Sequence, residues 1–280
     1  MEFENYLLTV KDGVGLVKLN RPEKANALTM AAFPELCGLL RSVQDDQNVN
    51  AILVYGAGKH FCAGNDISQR REARLTSKLS PYESQWEDWN SRRVCDMEIR
   101  DYPKPIIAAV HGACMGAGLE MVTLFDAIFA AEDAKFGIPE MRMSIVPYCR
   151  LAYAFNHIRF AKETISSGEN FDAQRALQMG MINRVVPREK LMDEAMTYAR
   201  RLALMPPENM ALMKKTLNTA EDLMGFRELL NSSISITIHS IVSDSDIKRT
   251  FSEIGEAQGT NAALKWQREY FAQAERPFEE

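Results

Sequence analysis

Residues 111–131 read HGACMGAGLEMVTLFDAIFAA, a run of small and apolar side chains that carries two carboxylates, Glu120 and Asp126. Such a run belongs in a protein interior, and the small residues at its front let another backbone or a ligand approach closely. An ionised carboxylate is costly there unless it is paired or neutralised. The fold must bury this stretch and give each acid either a structural partner or a chemical task.

The flanking sequence supplies the rest of such a core. YLLTVKDGVGLVKLN holds two β-rich runs around Asp12-Gly13, a hairpin signal. TMAAFPELCGLLRSVQDD spaces its apolar residues as a helix. VNAILVYGAG and KPIIAAVHGAC are expected as buried strands, the second followed by a helix near Gly116 to Leu124, and AIFAAEDAKFGIPE as two short strands. Strand and helix alternate to about residue 190 with no fixed-period repeat, which predicts an α/β fold. Beyond NRVVPREKL the chain turns helical. EKLMDEAMTYARRLALM is broken at Pro206-Pro207, one long helix runs to SISITIHSIV, and NAALKWQREYFAQAE forms a last helix. Residues 68–100 are long and polar: a basic, loop-like first half suited to a lid, then a candidate amphipathic helix with Trp86, Trp89, Val94 and Met97.

Several function classes are disfavoured. A net charge of -5 supplies no broad positive field for nucleic acid. The five cysteines are odd in number without C-x-x-C spacing, and the four histidines form no H-x-x-x-H pair, so neither a disulfide framework nor a metal is expected. No membrane span, signal peptide or peroxisomal tripeptide is read, and the expected location is cytoplasmic.

Four segments recur in a known order: NRPEKANAL at 20–28, HFCAGNDI at 60–67, AAVHGACMGAGLEMVTLFDAIFA at 108–130, and AKFGIPEM at 134–141 followed by GMINRVV. Together they resemble the crotonase superfamily, the enoyl-CoA hydratase/isomerase group. The resemblance implies a crotonase (ClpP-like) fold, with a repeated ββα spiral core over residues 1–195 and a helical region over 196–280 for oligomerisation. It also implies an acyl-CoA thioester substrate, no permanently bound cofactor, and a homotrimer or a hexamer of paired trimers.

By that resemblance the amides of Asn65 and Ala117 polarise the thioester carbonyl, and the enolate formed there is the common intermediate. Ala63-Gly64-Asn65 and Gly116-Ala117-Gly118 are small-residue turns after buried strands, which suits a pair of backbone donors aimed at a developing oxyanion. Many members have three glycines at the second turn; alanine keeps its N–H. Glu120 and Glu140 match the two acids that hold a water in the hydratases, Glu120 for water activation and Glu140 for proton transfer. Lys24, Ala25 and Asn26 are implied to border the pantetheine and phosphates, and Ala63, Asp66 and Ile67 the adenine. Arg70, Arg71 and Arg74 either reach phosphates or form a solvated face, and Asp126 reads as structural.

The segment SIVPYCRLAYAF departs from the glycine-rich turn of many relatives. Tyr148, Cys149 and Arg150 reshape the acyl pocket, and Tyr148 stands where dienoyl-CoA isomerases carry an aspartate. Tyr148, Trp86 and Trp89 either line a pocket for a short, branched or ring-bearing acyl group or are core. The expected activity is syn hydration of a 2-enoyl-CoA. The alternatives are isomerisation, decarboxylation or thioester hydrolysis through the same enolate, or a CoA-binding scaffold without turnover. Tyr270, Phe271 or Phe278 is expected to reach a neighbour's coenzyme.

Overall fold

In the computed structural model, residues 3–274 are described. Phe278, and the side chains of Arg71, Arg74, Leu75, Cys149 and Arg150, lie outside the described residues.

The chain opens with β1 (Tyr6–Lys11) and β2 (Val14–Leu19), the antiparallel hairpin expected at Asp12-Gly13. Helix α1 (Ala32–Ser42) leads to β3 (Ala51–Gly56), and α2 (Ile67–Thr76) with α3 (Pro81–Arg100) leads to β4 (Ile106–Val110). Then come β5 (Ala113–Met115), α4 (Ala117–Val122), β6 (Ala127–Ala131), β7 (Lys135–Gly137), α5 (Ile158–Ser167), β8 (Asn170–Asp172), α6 (Ala173–Gln178) and β9 (Arg184–Val186). Five helices close the chain: α7 (Leu191–Ala203), α8 (Pro207–Leu223), α9 (Phe226–Val242), α10 (Asp246–Gln258) and α11 (Thr260–Ala272).

Two sheets result. The larger runs β1-β2-β3-β4-β6-β9, parallel from β2 onward; the smaller runs β5-β7-β8. From β4 to β7 the chain alternates between the sheets, with α4 between the two strand pairs, the ββα spiral expected from the resemblance. Side chains alternate across the larger sheet. Ile52, Val54, Ala108, Val110 and Ile128 face the core shared with α1 and α4, while Leu53, Ile107, Ala109 and Phe129 pack under Leu191, Ala195 and Ala199 of α7. The expected boundary at residue 195 therefore falls inside a helix that covers the sheet.

Four expectations are corrected. KPIIAAVHGAC is two strands in different sheets, separated at His111-Gly112. The first half of 68–100 is helix, not loop. Asp66 caps α2 by accepting from the Gln69 amide, and Arg70 pairs with Asp88 of α3, so capping and a charge pair make a helix that has little apolar periodicity to reveal it. The long C-terminal helix is two, divided at Gly225 between α8 and α9, with α10 unanticipated. On α3 half of the expected apolar face packs inward: Trp89 and Met97 lie against Tyr148 and α9, but Trp86 and Val94 are 44% and 50% exposed, and Gln85, Arg92, Asp96 and Arg100 are buried instead.

Among the described residues no helix is long and apolar enough to cross a membrane, and no cluster of three metal-ligating side chains occurs. Cys37, Cys62, Cys95 and Cys114 are free and buried.

Candidate active site

The loop after β3 doubles back along residues 111–115. Phe61 donates its amide to the His111 carbonyl at 2.8 Å, Cys62 to Ala113 at 2.9 Å, and Met115 returns a bond to Cys62 at 2.9 Å. This zipper sets the turn at 63–65 beside the turn at 116–117. A Cβ on Gly64 would stand 3.0 Å from the Met115 carbonyl oxygen and 3.7 Å from the Ala117 nitrogen, and Gly64 has a φ of +94°. Gly116, at φ +47°, is equally restricted: a Cβ there would lie 2.6 Å from Glu140 Oε1. Only glycine suits both positions.

Ala117 is the first residue of α4, so its amide has no intrahelical acceptor. At the other turn, Leu28 donates to Gly64 at 2.8 Å and Asp66 donates to Leu28 at 2.9 Å. In such a bridge the intervening Asn65 amide turns away from the partner strand. Among the described residues neither the Asn65 nor the Ala117 amide donates to a protein acceptor. The Asn65 Oδ1 is buried and also lacks a partner.

The two acids meet at this place by different routes. Glu120 lies in the first turn of α4, 3% exposed, its amide bonded to Gly116 at 2.8 Å. Its Oε2 accepts from Arg92 Nη2 at 3.2 Å, and Arg92 Nε donates to Asp96 Oδ1 at 2.8 Å. The Arg92 guanidinium also lies 3.2 Å from the centroid of the Phe33 ring. Glu140 stands in a 3-10 turn, Pro139–Met143, its Oε1 against Gly116. The residue is partly exposed, yet its Oε2 is buried and has no hydrogen-bond partner among the described residues. Burial, and then the negative charge of Glu120, push the Glu140 carboxyl up to about 8, against an opposing amide hydrogen bond and the charge of Arg92. Near neutral pH Glu140 holds a proton, while Glu120 faces a guanidinium.

The remaining expected residues divide into surface and scaffold. Lys24 is exposed in a 3-10 turn, and Ala25 follows at φ +49°. Asn26 is a buried brace: its Nδ2 donates to the Ala57 and His60 carbonyls at 2.9 and 2.8 Å, and its Oδ1 accepts from the Arg21 amide. Ala63 is exposed, Ile67 half-buried. The Asp66 carboxylate accepts from Ser68, the Gln69 amide and Arg21; these bonds outweigh partial burial and hold it below the usual range.

Tyr148 is fully buried against Trp89, ring centroids 5.3 Å apart, in a cluster with Leu230, Ile234 and Ile238 of α9. Trp86 instead stacks on Tyr82 at the surface, so the three aromatics do not share one pocket. Phe271 of α11 packs 5.2 Å from the Arg142 guanidinium of its own chain, and Gln267 donates to the Arg142 carbonyl at 3.0 Å. The final helix thus lies over the turn that carries Glu140. Asp126 falls beyond the end of α4 rather than on it, and its Oδ2 accepts from the Ile106 amide at 2.7 Å and from Lys214 at 2.6 Å.

Two residues at the centre of the site, Arg92 and Asp96, were not singled out by the sequence reading. Their i, i+4 spacing, in register with Ile99 and one turn from Trp89, was the available signal that they share the inward stripe of α3. A cleft of about 620 Å³ lies elsewhere, under α8, lined by Asp126, Met213, Lys214 and Met224 and by none of the expected site residues.

Known proteins resemble this chain over most of its length. Residues 9–254 match the enoyl-CoA hydratase/isomerase family model. The chain is 34% identical, over 76% of its length and 75% of the relative's, to a probable mitochondrial enoyl-CoA hydratase of Dictyostelium discoideum. It is 31% identical, over 79% of its length and 84% of the relative's, to the 1,2-epoxyphenylacetyl-CoA isomerase of Escherichia coli K12. The crystal structure of an enoyl-CoA hydratase/isomerase from Xanthobacter autotrophicus Py2 superposes with a TM-score of 0.89 at 30% identity, covering 99% of this chain and all of that one.

Proposed function

This chain belongs to the enoyl-CoA hydratase/isomerase family, and on that premise we propose that it hydrates a 2-enoyl-CoA through a thioester enolate. The observation that carries the reading is the lodging of the Glu140 carboxyl against Gly116, beside the unengaged Ala117 amide and together with a Glu120 that has its own counter-charge.

In this reading the thioester oxygen sits at the Asn65 and Ala117 amides. Glu120 takes a proton from water as the water oxygen bonds to C3. The π electrons move toward the thioester oxygen, and the amides stabilise the charge that gathers there. C2 then takes the proton held by Glu140, the proton gained by Glu120 passes to Glu140 to restore the pair, and the net change is one water added across the double bond. Two carboxyls in differing environments, one beside a guanidinium and one buried without a partner, suit the two roles of base and acid. Lys24, Ala25, Asn26, Ala63, Gly64, Asp66 and Ile67 border the coenzyme, with Asn26 and Asp66 acting by holding the loops in place. Tyr148 backs the acyl end of the site through Trp89.

A second reading is double-bond isomerisation through the same enolate, favoured by the similarity to an isomerase and by a Glu140 able to return a proton at another carbon. A panel of acyl-CoA esters, followed both by loss of the conjugated thioester absorbance and by release of free CoA, tests the assignment. Hydration removes the absorbance without releasing CoA, isomerisation of a 3-enoyl ester creates it, and hydrolysis releases CoA.

We assign the helical region beyond the sheet-covering α7 to self-association as a trimer or paired trimers. Its α8 and flanking residues leave Leu204, Leu212, Leu217, Leu223 and Met224 between 59% and 85% exposed. Light scattering on the eluted protein tests this.

A further inference from the structure

Helix α3 carries Trp89, Arg92 and Asp96 along one stripe and delivers a guanidinium beneath the acid pair. Arg92, Asp96 and Glu120 are 6%, 0% and 3% exposed, so the three charges are withdrawn from water together. We propose that Arg92 is a positioning residue that holds the Glu120 carboxylate in place beside Glu140. The proposal rests on the reading of Glu120 as the base.

The geometry requires arginine rather than a generic cation. Nε engages Asp96, Nη2 engages Glu120, and the flat face lies on the Phe33 ring, so three directions of one rigid plane are fixed at once. An ammonium group supplies the charge but not this bridge. Among the described residues Arg92 is the cation of the cluster. Asp96 and Cys95 face it from α3, Glu120 from α4, Glu140 from its 3-10 turn, Tyr148 from the following segment, Tyr6 from β1 and Cys62 from the loop after β3. Burial raises Tyr6 and also Cys62, the latter to about 12, so neither competes for the guanidinium as an anion. Helix α9, packed against α3, contributes Leu230, Ile234 and Ile238 to the cluster around Trp89 and Tyr148. Among the described residues one cation thus faces three carboxyls: it binds two directly, and the third, Glu140, has no cation within bonding distance.

Arg92→Gln is expected to lower kcat about 100-fold, change KM little, and move the acid limb of the kcat/KM profile upward by about one pH unit. Arg92→Lys should recover part of the limb shift while kcat stays low. Arg92→Gln combined with Asp96→Asn removes a cation and an anion together. If the arginine serves only to neutralise Asp96, this double variant regains activity; a positioning role leaves it impaired. This pair of variants also decides the matter if Arg92→Gln alone does not fold.

A readout independent of turnover separates this proposal from the hydratase assignment. In substrate-free protein with 13C-labelled glutamate side chains, one site carboxyl should be protonated at neutral pH and vanish in Glu140→Gln. Arg92→Gln should add a second, which vanishes in the further variant Glu120→Gln. Those signals in a protein that hydrates no 2-enoyl-CoA would keep the positioning and discard the hydratase. A folded Arg92→Gln with an unmoved acid limb and no second protonated carboxyl overturns the proposal.

Discussion

Glu120 and Asp126 stand in the same apolar stretch, and each faces a cation from a distant helix, yet they are built into the molecule differently. Asp126 spends its Oδ2 on the Ile106 amide at the start of β4 and on Lys214, whose ammonium also holds the Lys104 carbonyl. Backbone and side chain are sewn together, and the carboxylate is a fastener between the sheet and α8. Among the described residues Glu120 bonds no backbone through its carboxylate. It leans on a guanidinium and faces a second acid that keeps its proton. A structural acid is consumed by its partners; the acid read as catalytic is held by them with capacity to spare.

The comparison is tested most severely at the acid pair. Glu140→Gln should lower kcat/KM on a 2-enoyl-CoA by about 10²–10⁴-fold while the fold, by circular dichroism, persists. Ala117→Pro removes one amide at a helix position that tolerates proline, and kcat should fall by about 10²–10³-fold without loss of helix. Wild-type activity in either folded variant would merge the two acids into one structural class.

Lys214→Met probes the other side. It leaves Asp126 without its cation, and should cost about 1–3 kcal/mol in denaturant unfolding with kcat per folded molecule unchanged. A kcat loss there would break the distinction from below.

Smaller effects sharpen it. Glu140 has a folded-state pKa near 8, above its ordinary carboxyl value, so the folded chain binds more protons than the unfolded one between those limits. The stability contributed by this group is present at low pH and is lost as pH rises toward 8. The Tm of Glu140→Gln relative to wild type should therefore climb from pH 5 to pH 9. Lys24→Ala, on the exposed first loop, should raise KM for the CoA ester by no more than about fivefold.

Much of the arrangement was legible in the chain. The hairpin at Asp12-Gly13, the buried runs of β3, β4 and β6, and the small-residue turns at 63–65 and 116–118 announce themselves through local chemistry. Helix α2 did not, because its signal is a cap and a charge pair rather than an apolar stripe. Arg92 and Asp96 were hidden for a related reason: charges at helical spacing ordinarily mark a solvated face, and only an acid brought from another helix makes their burial favourable.

Patterning and backbone chemistry within the sequence determined an α/β core, glycines where backbones cross, and two acids worth questioning. Those properties depend on residues near one another in the chain, where periodicity and steric preference act. The tertiary structure decided which acid is fastened and which is kept in readiness. That choice depends on a cation delivered from α3 to one and from α8 to the other, and on burial that leaves a proton on Glu140. Charge and desolvation act through space, so neither is written at the position it controls.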